Sequence, residues 1–172
     1  MPSPCGEGQF FMCPIEHGVY AVGLVARVSR RGGVGLGYFF GPTRRDVPSA
    51  AWLQSLQPRQ AVLVCRFKSL SLYSGEWRLL DVMPKFDRTL WPLPAFHRFD
   101  GTTTYRPGIS TVQDWRVEYS DDNLIVPLNE APALLEDLRL GDDVVLDNQS
   151  LAATMNQILN QKIHTIDVVQ WQ

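Results

Sequence analysis

The chain has 172 residues, 45% of them hydrophobic and 20% charged, an ordinary balance for a folded globular domain and one that excludes a disordered tail. Its longest apolar candidate, Val19 to Val28, carries Arg27 and falls well short of the roughly 20 apolar residues of a helical membrane span. The net charge of -2 hides an asymmetry, because residues 1–110 hold 13 Lys/Arg against 7 Asp/Glu and residues 111–172 hold 3 against 11.

In chain order, Gln9–Glu16 and Gly18–Ser29 are rich in aromatic and β-branched residues and read as a hairpin turning at Glu16-His17-Gly18. Tyr20, Val22, Leu24, Ala26 and Val28 alternate onto one face of the second strand, with Val19, Ala21, Gly23, Val25 and Arg27 on the other. A strand apolar on both faces is a central one, or one that curls into a barrel. Gly23 in its middle reads as a bulge or sharp bend. Arg30-Arg31-Gly32-Gly33 makes the next turn, Val34–Phe40 is a third strand, and Gly41-Pro42 ends it. Ser49 has the character of a helix N-cap, before a short amphipathic turn carrying Trp52, Leu53 and Leu56. Ala61–Phe67 returns to strand, Ser74-Gly75 turns the chain, and Trp77–Val82 pairs back.

From Met83 to Pro107 prolines recur among Trp91, Phe96, Phe99 and Tyr105. Proline withholds a backbone donor, so the segment reads as an ordered loop pinned by aromatics, long enough to serve as an interaction surface. Strands resume at Trp115–Tyr119 and Asn123–Val126. Pro132 opens a helical turn with Leu134, Leu135 and Leu138 as its apolar stripe, and Val144–Leu146 is a short strand. Ser150 caps the clearest helix, with Leu151, Met155, Ile158, Leu159 and Ile163 at helical spacing, and Thr165–Trp171 reads as a last strand or extended tail.

The residues that most invite a chemical reading do not assemble a site. The glycines of Arg31–Gly37 precede a β pattern with no Lys-Ser/Thr behind them, so they make a hairpin and not a phosphate loop. Cys5, Cys13 and His17 lack the second pair that a tetrahedral zinc site needs. No nucleophile elbow is present, and Asp121-Asp122, Glu136-Asp137 and Asp142-Asp143 are adjacent carboxylates in polar contexts, not a pair whose environments separate their pKa values. The expectation is a protein without catalytic residues, metal or cofactor. The three cysteines cannot all pair and Cys13 and Cys65 lie in apolar runs, while the N-terminus lacks the basic and apolar regions of a secretory signal. Both features fit a reducing cytoplasm. Arg27, Arg30, Arg31, Arg44 and Arg45 cluster near two turns and keep open an alternative, a small β-barrel interaction or nucleic-acid-binding module.

Three pieces read together carry a resemblance. Gly18-Val19-Tyr20-Ala21-Val22-Gly23-Leu24-Val25 follows an aromatic strand, Ser69–Trp77 comes later, and Phe86-Asp87-Arg88-Thr89-Leu90-Trp91-Pro92-Leu93-Pro94-Ala95-Phe96 follows at a short distance. Over roughly residues 8–100 this arrangement resembles the immunity protein 26 family, found beside bacterial polymorphic toxin genes. The resemblance implies a cytoplasmic protein that binds and occludes a cognate toxin without catalysis. It transfers no catalytic residue and no contact residue, and Trp77 and Trp91 read as core or loop anchors.

The acidic C-terminal third then has a possible role. A nuclease-type toxin is basic at its cleft, and an acidic partner surface speeds association with it by long-range attraction. Asp121, Asp122, Glu130, Glu136, Asp137, Asp142 and Asp143 are therefore the expected partner-binding residues; neither membrane nor nucleic acid is expected as a partner. The fold expected is α+β: one domain over residues 1–172, with a strongly bent antiparallel sheet or small barrel in a β-rich core and Pro/aromatic loop (8–100). An acidic strand-helix segment (111–172) packs its C-terminal helix on that sheet.

Overall fold

The computed structural model describes residues 5–31, 33–106 and 109–169, with the side chains of 100–113 and 162–169 left out of the description. Six strands form the larger sheet: β1 (Gln9–Glu16), β2 (Val19–Val28), β3 (Val34–Arg44), β4 (Leu63–Lys68), β5 (Arg78–Val82) and the short β10 (Val145–Leu146). Their order is β10-β4-β3-β2-β1-β5. A smaller sheet in the order β8-β7-β6-β9 is built from β6 (Phe96–Arg106), β7 (Ile109–Glu118), β8 (Asn129–Pro132) and β9 (Gly141–Asp142). Helices α1 (Ala50–Ser55), α2 (Leu70–Ser74) and α3 (Asn148–Val169) complete the chain, with 3-10 turns at Pro58–Gln60 and Leu135–Arg139. The fold is α+β, and neither sheet closes into a barrel: β10 and β5 are free edges of the larger one.

The alternation of β2 explains the layering. Val22 and Leu24 point into a core shared with Phe10, Phe40, Phe96 and Val117, which lies between the two sheets. Ala21 and Val25 point into a second core shared with Phe11, Phe67 and Trp77, which α3 closes with Leu151 and Met155. The larger sheet is therefore buried on both faces, as a strand apolar on both sides requires. In the second core Phe11 stacks on Trp77 at 4.9 Å between centroids, and Phe39 meets both Phe67 and Trp77 edge-on.

Gly23 does not mark a bulge. It stands opposite Phe11 in regular register, and a Cβ there would lie 2.2 Å from Phe11 Cζ, so the glycine makes room for the ring. The bulge in this strand comes later. Val25 pairs with Gly37 and Arg27 with Leu36, leaving Ala26 as the extra residue. That insertion shifts the alternation, so that Arg27 faces the inter-sheet core and Val28 the second core. Nor does Gly41-Pro42 end β3, which continues to Arg44, and a Cβ on Gly41 would meet Leu159 of α3 at 2.7 Å.

Other expectations change for identifiable reasons. After β4, α2 and the left-handed Gly75 (φ 82°) carry β5 to the far edge of the sheet, where it pairs with β1 and not β4. The Pro/aromatic loop ends at Ala95: no proline interrupts Phe96–Arg106, and that segment pairs with β7. Pro107 lies outside the described residues. Asn123–Val126 is not a strand, because Asn123 Oδ1 accepts the N–H groups of Ile125 (3.0 Å) and Val126 (3.1 Å), a local turn that competes with a ladder. Pro132 closes β8 and opens no helix; the turn that follows is 3-10. At α1 the expected cap holds, Ser49 Oγ accepting from Trp52 N at 3.2 Å. At α3 the cap is Asp147, whose Oδ1 accepts from Ser150 N at 2.9 Å, so Ser150 lies within the first turn. Helix α3 runs to Val169, through the segment read as a last strand, whose end at Trp171 is outside the described residues.

Gly23→Ala should lose about 1–3 kcal/mol of stability through overpacking against Phe11. Denaturant unfolding of the single variant and of a Phe11→Leu/Gly23→Ala double variant checks this, the second change being expected to recover part of the loss.

Candidate partner-binding surface

The charge asymmetry along the chain is partly cancelled in space. Arg27, from the first half, carries its guanidinium into the inter-sheet region, where Nε donates to Asp121 Oδ1 at 2.5 Å. Its Nη1 donates to the carbonyls of Ala26 (2.7 Å) and Trp91 (3.1 Å), and Nη2 to that of Arg88 (3.2 Å). Arg66 on β4 is the second buried arginine. Its Nη2 donates to Asp143 Oδ1 at 2.5 Å and Nη1 to the Leu124 carbonyl at 2.8 Å, while its guanidinium lies 4.1 Å over the Tyr119 ring. The Tyr119 hydroxyl donates to the same Asp143 oxygen at 2.7 Å, and burial, with that bond second, pushes the phenol up to about 12.

These contacts place the seven acidic residues. Asp143, whose side chain is 3% exposed, is enclosed by Arg66, Tyr119 and Arg98. Asp137 is buried on the outer side of the small sheet, where Arg116 Nη1 donates to it at 2.9 Å. Asp121 pairs with Arg27, Asp122 with Arg30 and Arg88, and Glu130 with Arg98 at 2.7 Å, these three acids remaining partly exposed. Glu136 and Asp142 are exposed and have no ion pair among the described residues. The structure thus spreads the seven over several faces and couples five of them to arginines. Part of the N-terminal positive excess and part of the C-terminal negative excess meet in ion pairs: Arg27, Arg30, Arg66, Arg88 and Arg98 with Asp121, Asp122, Glu130 and Asp143.

What the C-terminal third does present is apolar. On the 3-10 turn Leu135–Arg139 and just before it, Leu134 is 63% exposed, Leu135 86% and Leu138 48%. Asp137 anchors the turn from below, accepting from Leu134 N at 2.8 Å as well as from Arg116. The Leu134 amide, then Arg116, hold its carboxyl below the ordinary range. In sequence these leucines read as the apolar stripe of a helical turn. A 3-10 turn held through its acidic residue turns the leucines outward instead, and Glu136 stands beside them.

The alternative basic site is dispersed. Arg27 is buried, Arg30 and Arg31 lie at one end of the β2–β3 hairpin, and Arg44 sits opposite Tyr20 at the other, roughly 25 Å away along the strand. Arg44 stacks 4.2 Å over Trp52. No continuous basic stripe forms from these residues. Burial pushes the Cys13 thiol up to about 12 and the Cys5 thiol up to about 11, and raises Cys65 further, so these thiols stay protonated at neutral pH. Among the described residues no cluster of three or more His, Cys, Asp or Glu is placed to hold a metal ion. Also among them, no helix is long and apolar enough to cross a membrane.

Removing one partner of the Arg66–Asp143 pair should cost about 3–5 kcal/mol, because the other charge is left buried and unpaired. An Arg66→Met, Asp143→Leu double-mutant cycle followed by urea unfolding should therefore show a double loss well below the sum of the singles. Asp137 has a folded-state pKa below its unfolded value, so its contribution is complete above the ordinary carboxylate pKa of about 3.9 and is lost as pH falls through the lowered value. The Leu134 amide resonance should follow that acid transition in the native protein and not in Asp137→Asn.

No curated protein and no solved structure matches the chain. The model of one family, immunity protein 26, matches residues 6–106, the span that contains β1 to β6, both buried tryptophans and both buried arginines. Matched over more than half its length, and carrying the glycine turns and tryptophan anchors that first pointed there, the chain belongs to the immunity protein 26 family.

Proposed function

We propose that this protein confers immunity by binding a cognate bacterial toxin and occluding it stoichiometrically, without catalysis, in the cytoplasm of the producing cell. Family membership is the observation that carries this reading. The buried, arginine-bound carboxylates and the protonated thiols are in keeping with a protein that acts by its surface.

The surface proposed for the toxin is the Leu134–Leu138 turn with its acidic surroundings. Exposed leucines on an anchored turn supply apolar area that is fixed before binding, which lowers the ordering cost of association. Glu136 and Asp142, the two acids without arginine partners, and the half-exposed Glu130 supply negative charge for steering a basic, nuclease-type toxin. Asp121 and Asp122 contribute to steering through their exposed edges. Asp137 and Asp143 act by holding the surface in shape.

The test begins with capture of the toxin from the source organism, followed by co-expression of the pair in a susceptible host. The native protein should restore growth and form a one-to-one complex. Leu135→Glu/Leu138→Glu, both on exposed positions, should weaken the complex at least tenfold and lose protection while unfolding at the native temperature. Protection without a complex would refute occlusion, and undiminished binding by the variant would refute this surface.

A further inference from the structure

A separate cleft lies away from the leucine turn. It has a volume of about 740 Å³ and opens between the α1–Pro58 segment and the loop that follows β5. Leu56, Pro58, Met83 and Leu90 form apolar walls, and Trp91, itself buried, lies at the base. Two cations, Arg59 and Lys85, stand at its rim, exposed and without an ion-pair partner among the described residues. One acid also lines the cleft: exposed Asp87, whose Oδ1 accepts from Thr89 N (2.8 Å) and Thr89 Oγ1 (2.7 Å), bonds that hold its carboxyl below the ordinary range.

The wall is rigid by construction. Arg27 spends two buried donors on the carbonyls of Arg88 and Trp91. Tyr38 donates its hydroxyl to the Pro92 carbonyl at 2.5 Å and meets the Trp91 ring edge-on at 5.1 Å. Arg88 is forked onto Glu7 at 2.6 and 2.8 Å, and Met83 N donates to Gly8 O at 2.8 Å. Within this frame Lys85 has φ 53°, the one left-handed residue other than glycine among the described residues. A lysine held in that region is a strain that the surroundings impose, and such strain collects at binding sites.

We propose that this cleft is a binding site for a small amphipathic anion, an aromatic or medium-chain apolar body bearing one carboxylate or sulfonate. Volume and concavity suit a small ligand and not a flat protein interface. Apolar walls take the body, and Arg59 and Lys85, two cations against the one lining carboxylate of Asp87, take the charge. The site is independent of the toxin-facing turn, so each reading stands or falls alone.

The probe is 8-anilinonaphthalene-1-sulfonate, titrated against the native full-length chain by calorimetry and by its fluorescence. The uncharged N-phenyl-1-naphthylamine serves as the control. One equivalent of the anionic dye should bind. Arg59→Gln/Lys85→Gln should weaken it about tenfold, the effect of two rim charges, and should leave the neutral dye unaffected. Leu90→Glu, which puts a carboxylate at an exposed wall position, should abolish binding by the anionic dye. Lys85→Gly should raise the melting temperature while weakening the dye, separating backbone strain from ligand contact. Absent or multiple weak binding of the anionic dye, equal binding of both dyes, or affinity unchanged in the Gln and Glu variants would overturn the proposal.

Discussion

Pairing of arginines from the first two thirds of the chain with carboxylates from the last third is the constraint on which the structure rests. A guanidinium inside an apolar layer is costly unless its donors and its charge are met. Arg27 meets its own with Asp121 and the carbonyls of Arg88 and Trp91. Arg66 meets its charge with Asp143 and a further donor with the Leu124 carbonyl, its Nε alone lacking a hydrogen bond among the described residues. These bonds seat the small sheet on the large one, fix the course of the loop after β5, and bring β9 and β10 to their parallel partners β6 and β4. The C-terminal third is thereby woven into the region that carries the family match, supplying a strand to the edge of the large sheet and the helix that covers its second core.

That pairing also decides which surfaces remain for a partner. Asp137 and Asp143, buried against arginines, cannot face a partner, while the paired but half-exposed acids project less net charge than the unpaired Glu136 and Asp142. What is left is an apolar turn flanked by unpaired acids, anchored by Asp137, and a separate apolar cleft rimmed by unpaired cations. The two differ in shape as well as charge: one projects, the other recedes. A projecting, preorganised turn suits docking onto a protein, and a recess suits a small ligand.

Much of the fold was legible because its signals are local. Alternation on both faces of β2 placed that strand at the centre of a sheet, Ser49 capped α1, and the spacing of Leu151 and Met155 marked a helix with one buried face. Misread segments were those where a side chain or a tertiary partner overrides local preference. Asn123 satisfied the amides of Ile125 and Val126 in place of a ladder, and Asp147, not Ser150, took the first amide of α3. The bulge at Ala26 moved Arg27 from one core to the other, which no two-residue alternation reveals. For the site, the segment charges were visible but their partial cancellation was not, since pairs such as Arg27–Asp121 and Arg66–Asp143 join residues far apart in the chain. An arginine inside an otherwise apolar strand run, as at Arg27 and Arg66, was the available cue that acids elsewhere were spoken for.

The most direct test of this interlocking is native-state hydrogen exchange of the amides in β4, β6 and β10 as a function of denaturant. Clamped together through Arg66 and Asp143, they should open as one unit, with Leu146 and Phe67 exchanging at the same free energy. A C-terminal third that opens first, at a distinctly lower free energy than β4, would contradict the account and return the acidic segment to the status of a separately attached element.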